Sequence, residues 1–180
     1  MTLAVNNSKS ETFLSSIAKY GTSRVNRFEV EIFSPNNKTE EDRLVSLRCE
    51  TVDIPGRTID TKSNDNAYGP SFELGTGIVL TGTVGMTFLM DKTYTVKKYF
   101  DNWHKKIYNT ATYDFYYYDN YTAQIAISQL NQQDEVIYKC GLSEAYPKTI
   151  ELITLDNNSR NELVKLNVTM AFRDWFELPI

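Results

Sequence analysis

The order of apolar and polar positions changes period several times along the chain, and each change marks an element. From Asn26 the period is two, with Phe28, Val30 and Ile32 set between Glu29, Glu31 and Phe33, the pattern of a strand with one buried face. A polar connector holding Pro35, Asn36 and Asn37 follows. Val45, Leu47 and Cys49 then alternate with Ser46, Arg48 and Glu50, which predicts a second strand. Further period-two runs occupy residues 79–90, 113–118, 123–128 and 136–142. The cleanest is the last, where Val164, Leu166, Val168, Met170 and Phe172 are in step, and it is expected at the centre of the core.

The period lengthens to a helical one in two places. Over residues 91–109, Val96, Phe100, Trp103 and Ile107 recur at spacings of four, three and four. Asp91 suits the start of this helix, Lys105 and Lys106 suit its negative end, and Asp101 lies four residues from both Lys97 and Lys105. The helix is expected to lie on a sheet and turn its basic side outward. A shorter helix is predicted over residues 11–20, with Phe13, Leu14 and Ile17 on one side, Ser10 as its cap and Gly21 as its stop.

Two stretches break the pattern. Residues 1–10 are small and polar and are expected to stay disordered until bound. Residues 53–77 hold four glycines and two prolines with little alternation. A long irregular stretch inside a compact unit is usually functional or disordered, and here it predicts an arm that leaves the sheet and returns. The organisation expected is a flexible N-terminal segment, 1–23, and a single β domain, 24–180, with the arm at 54–77 and the helix at 91–109.

Composition agrees with this picture and narrows the chemistry. A chain of 180 residues can bury a core without staples, and an aromatic content of 13%, with 12 Tyr and 9 Phe, suits pleated surfaces. The 19 basic residues are outnumbered by 23 acidic ones and form no dense block, which argues against a grip on nucleic acid through phosphate neutralisation. No apolar run approaches the roughly 20 residues of a membrane helix, and residues 1–10 lack the regions of a signal peptide, so a soluble protein of a cytoplasm is expected, with no membrane insertion. Cys49 and Cys140 each fall within an alternating apolar run and are expected to be buried free thiols.

Candidate chemistry is thin. The single histidine, His104, follows Trp103 on the lysine-flanked side of the predicted helix and is expected to face solvent, which leaves nucleophilic catalysis without a base. Neither Cys-x-x-Cys nor His-x-x-x-His occurs, so no metal and no cofactor is expected. Gly82 and Gly85 do not follow a phosphate-cradling pattern and instead suggest bends or close approaches in a strand. The pairs Glu29 with Glu31 and Asp114 with Asp119 are expected on solvated faces. The tyrosine cluster of residues 113–121 lacks the interleaved Lys or Arg of a base-stacking platform, and packing between strands or subunits is expected of it.

Several motifs in order resemble the tail tube proteins of T4-type contractile-tailed bacteriophages, the myoviruses. They are Asn26-Arg-Phe-Glu-Val-Glu31, Arg48-Cys-Glu-Thr-Val-Asp-Ile-Pro-Gly56, Phe88-Leu-Met-Asp91 and Tyr99-Phe-Asp-Asn-Trp103. Ala145-Tyr-Pro-Lys-Thr-Ile150, Leu155-Asp-Asn-Asn-Ser-Arg-Asn-Glu162 and Thr169-Met-Ala-Phe-Arg-Asp-Trp175 continue the likeness to the C-terminal end. The resemblance implies a mainly β fold, related to the type VI secretion tube: two packed antiparallel sheets as a sandwich or barrel, one flanking helix and a long projecting hairpin. It implies hexameric rings whose sheets join into an inner β-barrel, stacked into a conduit for viral DNA during ejection, and no enzyme activity. Implied partners are the chain itself, the tail sheath protein, the baseplate tube initiator, the tape-measure protein, the tail terminator, and double-stranded DNA passing non-specifically through the lumen. The location implied is the virion tail, assembled in the bacterial host cytoplasm. For the arm the resemblance implies subunit contacts, with Pro55, Gly56, Arg57, Tyr68 and Pro70 expected to shape or anchor it. Lys98 and Lys106 are expected on an outer surface facing an acidic sheath, and the lumen is expected to be neutral to acidic. The competing readings are the tube or tube initiator of another contractile injection system, and a small β-sandwich binding module that uses the tyrosine cluster.

Overall fold

Among the residues that the computed structural model describes, 8–35, 39–64, 68–80, 82–158 and 162–180, there are nine strands and three α-helices; seven of the strands form two antiparallel sheets joined through one strand, and the other two form a separate hairpin. Strand β1 (Phe28–Phe33) pairs with β6 (Ala123–Leu130), which pairs with β7 (Val136–Ile150). The second sheet runs from β7 through β8 (Lys165–Ala171) and β5 (Thr83–Leu89) to β2 (Cys49–Val52). A short strand β9 (Asp174–Glu177) lies against the first half of β7, and β8 against its second half. β7 therefore belongs to both sheets. It changes sheet at Glu144, where φ is 51°, a left-handed value that breaks the pleat. Arg173, in the short break between β8 and β9, reaches across to the Glu144 carboxylate at 3.0 Å and ties the two bends together.

The core lies where the two sheets face each other. Val30, Ile32, Ile125, Ile127, Cys140 and Leu142 come from the first sheet, and Val84, Met86, Phe88, Leu166, Val168 and Met170 from the second, in one continuous buried cluster. The strand expected at the centre is β8, whose alternate residues are all but fully buried between β7 and β5.

The predicted long helix is α3 (Thr95–Ile107), and it lays Val96, Tyr99, Phe100 and Trp103 into the same cluster. Phe100 meets Phe88 at 5.0 Å between ring centroids and stacks on Trp103 at 6.4 Å, separations at which aromatic pairs attract beyond simple burial. The Trp103 indole N–H donates to the carbonyl of Tyr121 at 2.7 Å. Asp91 caps the helix from four residues ahead, its carboxylate accepting the Thr95 N–H at 2.8 Å and the Val96 N–H at 3.4 Å. Desolvation pushes this carboxyl up, but the hydrogen bonds from Thr93, Thr95 and Val96 outweigh it and hold the group well below the usual carboxylate range. With its folded value depressed, Asp91 contributes stability above the ordinary carboxylate pKa and loses it as pH falls through the lowered one.

Five expectations about the elements are corrected. Residues 45–47, read as the first part of a strand, end helix α2 (Thr39–Leu47). Glu40, Glu41 and Asp42 favour its positive end, and Asp42 and Val45, three apart, share its buried side while Leu47 stays 75% exposed. The run at 113–118 is no strand: it makes one bridge, Tyr108 to Phe115, and passes through Tyr113 at a φ of 62°. The run at 79–90 is broken by Gly82, at φ 62°, and β7 continues through Tyr146 and Pro147 rather than ending before them. The N-terminal helix α1 begins at Ser8, so Ser10 sits inside its first turn, and it ends as expected at Gly21, whose N–H returns to the Ile17 carbonyl at 2.8 Å. The expected disorder of residues 1–10 falls largely outside the described residues.

α2 and α3 are joined by a buried hydrogen bond from the Tyr99 hydroxyl to the Asp42 carboxylate at 2.6 Å. Burial, with the Asp42 carboxylate beside it, holds the Tyr99 phenol far above its ordinary value, so it remains the donor. Tyr99→Phe would strand a buried acceptor, and a loss of about 1–3 kcal/mol is expected in urea unfolding; a midpoint unchanged from wild type would show that Asp42 finds another donor.

Candidate assembly interface

Between β2 and β5 the chain leaves the sandwich as a hairpin of its own, β3 (Arg57–Asn64) and β4 (Phe72–Leu80), a two-stranded sheet with no further partner among the described residues. Ile59 faces Ile78 across one side, and Val79, Leu74 and Phe72 fall on the other. These side chains are between 48% and 71% exposed. A lone two-stranded ribbon is marginal in water, and one with apolar groups on both faces and both edges open is built to be covered.

The root of the hairpin is anchored, and here three of the predicted residues come together. Pro55 is buried and Gly56 follows it into solvent. The Arg57 guanidinium lies over the Trp175 ring at 4.4 Å and donates to the Trp175 carbonyl at 3.0 Å, a cation–π contact reinforced by a hydrogen bond. On the other side of the root, the Asp53 N–H donates to the Gly85 carbonyl at 3.1 Å, and a Cβ on Gly85 would stand 2.8 Å from the Asp53 carboxylate. This is the close approach expected of that glycine. Tyr68, 97% exposed, and Pro70 lie near the far end of the hairpin, away from the root. Lys98 is exposed and Lys106 half-buried on α3. Trp175 was not among the predicted site residues, because nothing in the chain links it to Arg57 across 118 positions.

The sandwich edges are treated unequally. On β1, α2 closes one end: the Ile32 N–H donates to Ser46 Oγ at 3.2 Å and the Ser34 N–H to the Asp42 carboxylate at 3.3 Å. Among the described residues β2, at the opposite end of the strand order, has a neighbour on one side only.

Among the described residues no reactive constellation accompanies this surface. His104 is not the free, solvent-facing residue expected: it is partly buried, and its Nε2–H donates to the Pro147 carbonyl at 2.8 Å, holding α3 against β7. The two cysteines are free, Cys140 buried and Cys49 half-buried. Burial pushes the Cys49 thiol up to about 12, against a weaker lowering by the Thr51 backbone, and burial raises Cys140 as well. Among the described residues no group of three or more His, Cys, Asp or Glu is placed to hold a metal ion, and no described helix is long and apolar enough to cross a membrane.

A two-sheet β subunit with an unsupported apolar ribbon and open edges fits the class of structural subunits. The comparisons agree with that class. A family model described as phage tail tube protein matches residues 23–178. Similar solved structures include a chain of the PVC extracellular contractile injection system sheath-tube complex in its extended state, with a TM-score of 0.64 and 15% identity, covering 92% of this chain and 97% of that one. A chain of the anti-feeding prophage tube-terminating cap is similar at TM-score 0.63 and 14% identity, over 88% of this chain and 92% of that one. A chain of the anti-feeding prophage baseplate matches at TM-score 0.63 and 17% identity, over 87% and 95%. No curated protein matches by sequence. The chain belongs to the phage tail tube protein family, and its role is that of a structural tail tube subunit.

Arg57→Ala should free the root of the hairpin without unfolding the sandwich. Amide hydrogen exchange over residues 57–64 is expected to quicken several-fold while the β8 amides keep their protection; unchanged exchange in the hairpin would show that Trp175 does not restrain it. At pH 9, where an ordinary thiol is substantially ionised, Cys49 should react with iodoacetamide far more slowly in the native protein than in urea, and equal rates would show its sulfur to be open to solvent.

Proposed function

We propose that the chain assembles into hexameric rings stacked as the conduit through which viral DNA leaves the particle, and that it performs no chemistry of its own. The observation that carries this reading is the hairpin, a ribbon with apolar side chains on both faces and open edges, on a subunit of the tail tube family. In a ring, each ribbon and each open sheet edge gains a neighbour, so that backbone pairing adds to apolar burial worth roughly 25 cal/mol per Å² before the cost of association. Pro55, Gly56 and Arg57 set the direction in which the arm leaves, and Tyr68 and Pro70 meet the next subunit or ring. The sheets of six subunits close into an inner barrel, which removes the exposed edges. The net charge of −4 suits a lumen that DNA passes without being held.

The same reading gives the tube its partners: a sheath against Lys98 and Lys106 on α3, a baseplate initiator, a terminator, and a tape-measure protein inside. Assembly takes place in the host cytoplasm and the product is the virion tail. A second reading, the tube or initiator of another contractile injection device, is favoured by the fold likeness to chains of such devices; it changes the cargo and leaves the subunit's mechanics as described.

Deleting residues 60–70 removes the distal hairpin and leaves the sandwich untouched. The expected product is a folded monomer, with its thermal transition kept, that forms no tubes under conditions where the full chain does, as seen by electron microscopy. Normal tubes from the deleted chain would overturn the role given to the arm.

A further inference from the structure

The end of α3 and the aromatic loop after it enclose a groove of about 570 Å³ that the tube reading leaves unused. Its apolar lining comes from Ile107, Tyr108, Phe115, Tyr146 and Pro147. Phe115 is 75% exposed, the neighbouring Tyr113 and Tyr117 are also left largely to water, and Tyr116 is 47% exposed. An aromatic cluster of this size in solvent is unusual on a surface with no partner.

The rim gives the second half of the argument. Lys105 and Lys148 both line the groove and both are exposed. A smaller adjoining hollow adds Lys106, beside Tyr116 and Asn120. None of these three lysines makes an ion pair among the described residues. The one carboxylate lining the groove, Asp101, is held by Lys97 at 2.9 Å. Lys105 and Lys106 stand at the C-terminal end of α3, where their charges offset the helix dipole, and Lys148 comes from β7. One wall is fixed, because the His104 ring is bonded to the Pro147 carbonyl and does not need to rearrange to admit a ligand.

We propose that this groove docks an acidic protein segment carrying an apolar anchor, a Leu, Phe or Trp flanked by Asp or Glu. The anchor enters between Phe115 and Pro147, and the flanking carboxylates meet Lys105 and Lys148. The charge argues against a nucleic acid as occupant, since three lysines on a chain of net charge −4 make a local patch and not a track. It argues against a second copy docking by a basic face, which would place like charges together. The inference rests on the tube reading only for what carries the segment, another component laid along the tube; the groove's chemistry stands without it.

The test is display selection of random 12-residue peptides on the full chain, with Lys105→Glu/Lys148→Glu as the counter-target. The result expected is enrichment of peptides in which Asp or Glu flank a large apolar residue. Binding of an enriched peptide, followed by its fluorescence, should weaken at least tenfold on the double variant, weaken similarly on Phe115→Ser, and fall as salt is raised. No enrichment, enriched peptides without acidic residues, or affinities unchanged in both variants would each overturn the proposal. A chain that forms tubes and selects no acidic peptide loses this inference alone; one that selects them and forms no tubes loses the tube reading alone.

Discussion

Strand β7 has to satisfy two sheets with one run of backbone, and the rest of the molecule is arranged around that constraint. Its first half pairs with β6 and β9 and its second half with β8, so the bend at Glu144 decides how the sheets face each other. The aromatic contacts of α3 with Phe88, the Asp42 to Tyr99 hydrogen bond and the His104 contact to Pro147 all depend on that bend being where it is. Because β9 is brought to β7 at the same corner, Trp175 is placed under Arg57, and the direction of the hairpin follows from the fold of the sandwich.

Function then follows from what this arrangement leaves incomplete. A sandwich with a well-filled core has no need of a projecting ribbon for its own stability, and the ribbon buries little of itself. Its apolar residues are the surface that the proposed assembly covers. An open, repeating contact of this kind grows until something stops it, so the partners proposed for each end belong to the same physical logic as the hairpin.

Much of this was legible in the chain. The strands with strict alternation, β1, β5 and β8, were readable because one face of each is more deeply buried than the other. α3 was readable from four large apolar residues at helical spacing. The failures have physical causes as well. Val45 and Leu47 looked like one strand face, yet Asp42, a buried acceptor for Tyr99 and Ser34, pairs with Val45 at helical spacing. The tyrosines of 113–118 have strand-forming side chains, but tertiary contacts hold them in a loop around the end of α3. The arm was visible as an irregular, glycine-rich stretch, while its anchor, Arg57 on Trp175, was not, because a contact between residues so distant in the chain leaves no local pattern.

The central claim is that the subunit is complete only in assembly, and electron microscopy of the purified full chain across a concentration series tests it most directly. The account predicts rings or hollow tubes with sixfold end views, and density over both faces of the 57–80 hairpin. Assemblies in which that hairpin stands free in solvent, or a chain that remains monomeric at every concentration, would contradict it.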